Sequence, residues 1–300
     1  MTRFGVALHE SNTLDMLAAI RMADDVGVPV AWLTSSLGDQ LTLFAAALPQ
    51  TKRIKLGTAI VPIFPRHPVL LVQQVATLEA LGPGRLELGL GPSHQPMVEK
   101  GYGIPFKHPL GRTREVALIL RQAFEQKGVE FDGEHYHVHM PGLHAPRVPV
   151  WISALRPGSF RAAGEVADGG MAWICPAPYL RDRAKPALNG ARLAAHCFLA
   201  ASENGARVRA DARDRLKLYP TLPFYAEMLR QAGSTDPPGQ VGDWLIDQIV
   251  VYGNREQCID KLRAFAATAG AHDLMVSLMV VEGDRSAGLQ RAMDIVTACN

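Results

Sequence analysis

The chain has 300 residues, of which 48% are hydrophobic and 20% charged, so it can bury a full core and lacks the composition of a disordered protein. Its formal charge of +2 comes from scattered basic residues, which argues against nucleic acid as a partner. Four widely spaced cysteines form no C-x-x-C pair, no signal peptide opens the sequence, and no segment reaches ~18 uninterrupted apolar residues. We therefore expect a soluble cytoplasmic protein without a membrane partner.

The predicted elements alternate between strands and helices from the start. Phe4 to Leu8 predicts a strand, and the apolar spacing from Thr13 to Val26 predicts an amphipathic helix with Asn12 or Thr13 as its cap. The same rhythm predicts strands at 30–33, 54–61 and 85–90, and helices at 41–48, 69–81 and 110–126. Strands that alternate with helices favour a parallel sheet.

The second half of the sequence continues this pattern after a short interruption. The interruption lies at 131–139, where polar and apolar residues alternate, and we interpret it as an excursion between barrel units. Further strands are predicted at 148–154, 170–174, 194–200 and 273–278, with a last helix at 285–298. Eight strand–helix units predict an α/β fold, a (β/α)8 TIM barrel forming a single domain over 1–300, with a helical insertion at approximately 201–252 before the last strand.

Several common catalytic motifs are absent from the sequence. It contains no G-x-S-x-G elbow, no phosphate-binding P-loop, no H-E-x-x-H helix and no dinucleotide-binding fingerprint. His135, His137 and His139 alternate, which on one strand would place all three on the same face. No Cys or acidic residue at a matching spacing completes a ligand set, so a solvated strand face is the favoured interpretation, and no metal site is predicted.

Polar residues follow two of the predicted strands directly. The strand at 54–61 runs into Pro65-Arg66-His67-Pro68, and the strand at 85–90 delivers Ser93 and His94. Barrel enzymes place their active-site groups at the carboxyl ends of the strands. His94 is therefore a candidate functional residue on the basis of its position.

The order and spacing of several segments resemble the luciferase-like monooxygenase superfamily. They are GTAIVPIFPRHP, LGLGPSHQPMVEKGYGIPFKHPLGRTRE, FDGEHY, PVWISALRPGSFRAAGEVADG and VYGNREQCIDKLRAFAATAG. The PRHP and SHQPMVE stretches are similar to the branch of oxidoreductases that use the deazaflavin coenzyme F420. This resemblance covers nearly the whole chain, implies the same barrel, and implies a homodimer that acts on a small-molecule substrate.

The resemblance also implies a cofactor site at the barrel mouth. A non-proline cis peptide, by position Ala59-Ile60, would support the tricyclic ring, which Thr34, Val61 and His94 would bound. Ser36, at the end of the second strand, and Ser93 are assigned to the same cofactor contact. Some relatives carry a His acid or base after the second strand, whereas this chain has Thr34-Ser35-Ser36, which argues against a sugar-phosphate or alcohol dehydrogenase.

The cofactor phosphate would lie at the start of the helix after the fifth strand, where free backbone amides suit an anion. The residues assigned there are Ala154, Leu155, Arg156, Gly158 and Ser159. The negatively charged tail of F420 would need basic residues that lead outward. The candidates are Arg66, His67, Lys100, Arg112 and Arg114.

The implied chemistry is hydride transfer from reduced F420 to an activated C=C or C=N bond. His94 or a shielded Glu99 would donate the proton, unless solvent does. The alternatives are an FMN-dependent luciferase-like monooxygenase on the same barrel and a non-catalytic flavin-binding barrel. An enzyme should show an open cavity, which we expect Trp32, Phe64, Trp173 and Phe224 to flank.

Overall fold

The strands of the molecule form a closed parallel barrel. The computed structural model describes residues 1–10, 12–34 and 38–300. Its strands are β1 (Arg3–Leu8), β2 (Val30–Thr34), β3 (Lys55–Ala59), β4 (Val61–Pro62), β5 (Leu86–Gly91), β6 (Gly128–Asp132), β7 (His137–Pro141), β8 (Val150–Ser153), β9 (Gly169–Met171), β10 (Arg192–Ala200), β11 (Val250–Tyr252) and β12 (Asp273–Leu278). In this part of the chain, β1, β2, β3, β5, β8, β9, β10 and β12 pair in that order, and β12 pairs back with β1. The predicted eight-stranded barrel is confirmed.

Helices surround the barrel. They are α1 (Thr13–Asp25), α2 (Gln40–Ala47), α3 (Pro68–Leu81), α4 (Pro109–Glu125), α5 (Pro157–Val166), α6 (Ala177–Tyr179), α7 (Lys185–Leu188), α8 (Gly205–Leu216), α9 (Pro223–Gln231), α10 (Asp243–Ile249), α11 (Arg255–Ala269) and α12 (Arg285–Cys299). The Asn12 side chain caps α1, because its oxygen accepts the Asp15 amide, as the sequence predicts. Within the described residues, no helix is long and apolar enough to span a membrane.

The stretch predicted as an insertion holds extra helices and one short strand. Helices α8, α9 and α10 follow β10, and β11 then pairs with the carboxyl end of β10 through the register Phe198 to Val250. Because β11 extends the sheet at the end of a barrel strand, this segment packs over the mouth of the barrel. Several of its residues therefore reach the site described below.

The interior of the barrel is filled by large side chains opposite glycines. Trp32 and Trp151 are fully buried, and their rings meet edge to face with centroids 6.0 Å apart. A Cβ atom on Gly57 would lie 2.3 Å from the Trp32 ring, so this position leaves no room for a side chain. Trp32 thus packs inside the barrel and does not flank the cavity, which corrects the expectation from the sequence.

The excursion predicted at 131–139 is an antiparallel hairpin of β6 and β7. His137 and His139 lie on β7, where their rings contact Asp132 and Glu130 and are exposed. His135 precedes the strand, and its ring lies beside that of His108 at the start of α4. The three histidines therefore do not share one face, because the strand begins only after His135.

Candidate active site

A large cavity opens at the carboxyl ends of the barrel strands. Its volume is about 2070 Å³, and residues that follow β1, β2, β5, β8 and β12 contribute to its walls. The segment after β10 supplies Tyr219, Phe224 and Tyr225. The carboxyl face of a (β/α)8 barrel is where enzymes of this architecture carry their active sites.

One wall is formed where the third strand is interrupted between β3 and β4. The peptide bond between Ala59 and Ile60 is cis, at the position that the resemblance implies. The buried Gln40 side chain donates to the carbonyls of Leu33, at 2.8 Å, and Ile60, at 3.3 Å. These bonds fix the ends of two neighbouring strands, so Ala59 and Ile60 present backbone and apolar surface to the cavity.

At the end of β5 the backbone lies so close to the neighbouring strands that two positions have no room for a side chain. A Cβ atom on Gly89 would lie 2.0 Å from the Thr58 carbonyl oxygen, and one on Gly91 would lie 2.3 Å from Ser153 Oγ. After Gly91 the chain turns at Ser93, whose φ of 63° is in the left-handed region that residues with side chains seldom adopt. This turn brings His94 to the cavity wall.

His94 faces two tyrosines of the inserted segment. Its ring centroid lies 6.3 Å from that of Tyr219 and 6.0 Å from that of Tyr225. Among the described residues, no side chain or backbone group hydrogen-bonds to its ring nitrogens. Burial lowers the pKa of His94 below its ordinary value, so the imidazole is neutral at pH 7.

Tyr219 and Tyr225 are protonated donors at this wall. The Trp173 indole N–H donates to Tyr219 Oη at 3.3 Å, which leaves the Tyr219 hydroxyl proton available for a ligand. Burial raises the pKa of Tyr219 and raises that of Tyr225 well above its ordinary value. Both phenols therefore stay neutral across the physiological range and can donate hydrogen bonds into the cavity.

The start of α5 forms another part of the cavity wall, next to Phe224 of the inserted segment. The Leu155 and Arg156 amides donate to Ser159 Oγ at 3.3 and 3.2 Å, and that hydroxyl donates to the Arg156 carbonyl at 2.9 Å. A Cβ atom on Gly158 would meet nothing within 4 Å, so open space lies above the first turn. The Ser159 hydroxyl is thus engaged within the turn, and the feature that suits an anion is the positive end of the helix dipole beside this open space.

Most of the residues predicted for the site are brought together by the fold. Those that line the cavity are Thr34, Ala59, Ile60, Ser93, His94, Ala154, Leu155, Arg156, Gly158 and Ser159. Ser36 lies outside the described residues. The roles assigned to the others stay predictions, since position alone does not test them.

Four residues predicted for the site do not line the cavity, namely Glu99, Val61, Arg66 and His67. Glu99 is exposed rather than shielded, and its carboxylate accepts from the Gln95 side chain at 3.2 Å and from the Phe106 amide at 3.4 Å. Val61 is fully buried in the core behind the wall. On the short helix Met97–Gly101 it is Met97 and Gly101 that line the cavity, and on β4 it is Pro62, so Glu99 and Val61 lie on other faces of these elements.

Arg66 and His67 also lie outside the cavity, each with a partner of its own. Arg66 forms an ion pair with Asp39, and Nδ1 of His67 accepts the Val69 amide at the start of α3. Arg114, another residue considered for the cofactor tail, pairs with Glu165. Phe64 stacks on Phe106, with centroids 5.1 Å apart, and does not line the cavity, whereas Trp173 and Phe224 do.

Two residues that follow β1, His9 and Glu10, line the cavity but were not predicted from the sequence. His9 Nδ1 lies 3.0 Å from Thr34 Oγ1, and the buried Glu10 pairs with Arg285 at 2.7 Å. Their position directly after the first strand is the signal that singled out His94, so it could have found them. Tyr219 gave no such signal, because it lies in the irregular insertion.

Comparison with known protein families agrees with this architecture. The model of the family "Luciferase-like monooxygenase" matches residues 1–273. A 5,10-methylenetetrahydromethanopterin reductase of Archaeoglobus fulgidus is 30% identical over 157 residues, which are 50% of this chain and 46% of the reductase. An F420-dependent glucose-6-phosphate dehydrogenase of Kineococcus radiotolerans is 32% identical over 133 residues, 42% of this chain and 38% of that enzyme. The chain thus spans less than half the length of these two relatives.

Solved structures share the whole fold at low sequence identity. An F420-dependent secondary alcohol dehydrogenase in complex with an F420–acetone adduct has a TM-score of 0.82, 19% identity and full coverage of both chains. The oxygenating constituent of 3,6-diketocamphane monooxygenase from Pseudomonas putida, in complex with FMN, has a TM-score of 0.75 and 17% identity, covering 99% of this chain and 96% of the other. At such identities the likeness concerns the fold alone. The family match over residues 1–273 establishes that the chain belongs to the luciferase-like monooxygenase family.

Proposed function

We propose that the protein is an F420-dependent oxidoreductase that reduces an activated C=C or C=N bond of a small molecule. The observation that carries this proposal is the pairing of two walls in one cavity. The Ala59–Ile60 bulge and the start of α5 offer a flat surface and an anion site, while His94, Tyr219 and Tyr225 offer neutral donors in the same cavity. The F420-dependent relative and the F420-bound structural neighbour support this choice of cofactor.

The residues present fit a phosphate-bearing tricyclic cofactor. Any side chain at position 158 would occupy the open space above the first turn of α5, and this space adjoins Ser159. Arg156 stacks over Phe224, with its guanidinium carbon 4.8 Å from the ring centroid, so its charge stays near this end of the cavity. In this proposal, Gly158 and Ser159 hold the phosphate, and Ala59, Ile60 and Ser93 border the ring.

When bound, a reduced deazaflavin supplies the hydride. The protein contributes orientation and an aromatic wall with little access for water, because Tyr225 is buried and Trp173 is half-buried. Tyr219 and Tyr225 orient an acceptor atom of the substrate through their hydroxyl protons. His94 is neutral at pH 7, so it can donate a hydrogen bond from one nitrogen and accept at the other.

Reduction is favoured over alcohol oxidation by the character of the donors. Removing a proton from an alcohol needs a base at the reacting atom, and among the described residues the only carboxylate group buried at the cavity wall, Glu10, is already paired with Arg285. A reduction needs a proton donor instead, which the protonated phenols of Tyr219 and Tyr225 provide, whereas the neutral His94 can serve as donor or as base and does not decide the direction. A small-molecule substrate and a homodimer are part of this proposal.

The same barrel with FMN is the second candidate, and one observation favours it. Two of the basic residues expected to guide the F420 tail, Arg66 and Arg114, are paired with Asp39 and Glu165. FMN carries no such tail. A non-catalytic barrel is disfavoured, because it predicts a closed mouth and the cavity here has a volume of about 2070 Å³.

The experiment is an assay of the protein with reduced F420 and conjugated enones or cyclic imines as acceptors, and with oxidised F420 and secondary alcohols as donors. We expect turnover with an enone or imine, and His94→Gln should reduce kcat by roughly 100-fold, the lower end of the contribution of a positioned acid–base group. The exposed His137→Gln is the control and should match the parent. Turnover of alcohols alone would refute the proposed direction, and an unchanged kcat would remove His94 from the reaction.

A further inference from the structure

A second cluster of ligand-type side chains lies away from the barrel mouth, where the β6–β7 hairpin meets the start of α4. His108, Glu134 and His135 each offer one ligand atom, and these three atoms all lie within 4.8 Å of one another. Two of the residues are adjacent in the hairpin turn, and the third is 26 positions earlier in the chain by the difference of their numbers. Only the fold brings them together.

His135 is the most informative member, because its ring is largely buried and makes no hydrogen bond with the described residues. Its side chain is 6% exposed, and the nearest acidic atom, Glu134 Oε2, lies 4.0 Å from Nε2, beyond hydrogen-bond distance. Among the described residues, no donor or acceptor hydrogen-bonds to either ring nitrogen. Neither ring nitrogen is fully shut off from solvent, so this largely buried imidazole keeps a lone pair that an ion or a water molecule can reach.

The backbone around the cluster is held in place independently of any ligand. The Glu115 carboxylate accepts the amides of Glu134, His135 and Tyr136 at 2.8, 3.0 and 3.0 Å, which fixes the hairpin turn. A Cβ atom on Gly111 would lie 2.8 Å from His135 Nε2, so this glycine leaves room for the imidazole.

The backbone also sets the position of His108. Its φ of 51° is in the left-handed region, and it stands directly before Pro109, the first residue of α4. This conformation turns its ring towards the hairpin, where the centroids of His108 and His135 are 5.2 Å apart. Two imidazoles and one carboxylate therefore converge from two separately anchored elements.

We propose that His108, Glu134 and His135 bind a divalent transition-metal cation of the Zn²⁺ type, with water completing its coordination. Imidazole nitrogen and carboxylate oxygen are ligands that Zn²⁺ accepts, whereas Ca²⁺ and Mg²⁺ require an oxygen set. Charge near the cluster is mixed, because Lys107 and Arg112 are close in sequence and Glu115 lies under the turn. The ion would tie the hairpin to α4.

This tie has a consequence for the cavity. Pro109, Leu110 and Thr113 of α4 line the cavity wall, and Pro109 and Leu110 directly follow His108. An ion at the cluster would hold the first turn of α4 against the hairpin, and so stabilise that wall. The role is structural, and the inference does not depend on the proposed reaction.

The hairpin itself offers a matched control. His137 and His139 lie on the exposed face of β7, and their rings already contact Asp132 and Glu130. They are histidines of the same hairpin with acidic neighbours, but they are committed to other partners. Their replacement should leave the cation affinity unchanged.

The test is titration of the full-length protein, without added cofactor, with Zn²⁺ by calorimetry and with Co²⁺ by visible absorption. We expect one ion per chain, Co²⁺ bands typical of imidazole and oxygen ligands, and a rise in Tm on Zn²⁺ addition. His135→Gln and His108→Asn should each weaken binding by at least the roughly tenfold that loss of an outer-shell partner costs. Asn is chosen at position 108 because it tolerates the left-handed backbone, and circular dichroism verifies that both variants fold.

The outcomes separate the proposal from its alternatives. Loss of binding in His135→Gln and His108→Asn, with binding retained in His137→Gln, supports the site. Equal binding in all variants, loss only in His137→Gln, or no binding below millimolar Zn²⁺ in the parent overturns it.

Discussion

His196 shows how a single buried residue supports the cavity from behind. It is fully buried on β10, its Nε2 lies 2.8 Å from Ser277 Oγ, and its ring stacks on Trp173 at 3.6 Å between centroids. Ser277 and Trp173 both line the cavity, and Trp173 in turn holds Tyr219. Burial lowers the pKa of His196 to about 3, so the ring stays neutral and is an internal support for the aromatic wall.

This shifted pKa predicts how stability depends on pH. The folded-state pKa of about 3 lies below the ordinary value of 6.5, so between these values the unfolded chain binds a proton that the folded chain does not. Stability from this group is therefore complete above pH 6.5 and falls as the pH drops towards 3, by up to roughly 1.4 kcal/mol per pH unit. We expect His196→Gln, which keeps a polar contact to Ser277 but cannot titrate, to flatten the dependence.

The measurement is the free energy of unfolding by urea at several pH values between 7 and 4, for the parent and His196→Gln. His94 and His272, whose pKa values are also lowered, are present in both proteins and cancel in the difference. The exposed His137→Gln should reproduce the parent curve. Parallel curves for the parent and His196→Gln would show that His196 does not titrate in this range.

At the scale of elements, α5 connects a buried strand to the cavity. Val150–Ser153 is apolar and buried between β5 and β9, and the chain then enters the helix at Pro157 with Ser159 bonded to the turn before it. The buried face of α5 carries Phe160 and Ala163, so the helix is fixed against the barrel. Its first turn is left free to face a ligand.

A substitution at Gly158 tests whether the first turn of α5 binds the cofactor while its buried face holds the helix against the barrel. Because a Cβ atom there meets open space, we expect Gly158→Leu to fold with the parent's Tm within a few degrees, yet to weaken cofactor binding by about tenfold or more, which is roughly 1.4 kcal/mol. Gly158→Ala is the control for helix propensity and should lie between the two. The measurement is a fluorescence titration with F420, and equal affinity in Gly158→Leu would place the phosphate elsewhere.

The elements differ in how far the sequence predicts them. Apolar runs and helical spacing predict the barrel strands and the flanking helices to within a few residues, since buried elements need those patterns. The placement of Glu99 and Val61 could not be predicted, because it depends on the left-handed turn at Ser93 and the bulge at Ile60, which rotate the chain locally. Tyr219 depends on how the insertion packs over the mouth, a tertiary contact with no local pattern.

At the scale of the whole molecule, a buried ion-pair network lies at one end of the barrel and the cavity lies at the other. At the amino ends of the strands, Arg3 pairs with both Glu87 and Asp273, and Arg192 bonds to Asp273 at 2.7 Å. The Trp151 indole also donates to Glu87 at 3.1 Å. The two carboxylates are 1% or less exposed, so this network joins β1, β5, β8, β10 and β12 beneath the packed interior.

We expect Arg3→Ala to destabilise the fold strongly, because it leaves two buried carboxylates without their shared partner. The free energy of unfolding should fall by roughly 3–5 kcal/mol. Arg181→Ala is the control, since Arg181 and Asp182 form an exposed pair whose loss should cost less than about 1 kcal/mol. Equal effects of the two substitutions, measured by urea unfolding, would show that the barrel does not depend on the network.

The identity of the cofactor decides between the two candidate functions. Purified protein is titrated with F420 and with FMN under the same conditions, while binding is followed by cofactor fluorescence and oxygen consumption is recorded for the reduced complexes. We expect F420 to bind at least about tenfold more tightly than FMN, a difference of roughly 1.4 kcal/mol, and its reduced complex to consume no oxygen. Tighter binding of FMN, together with oxygen consumption, would contradict this expectation.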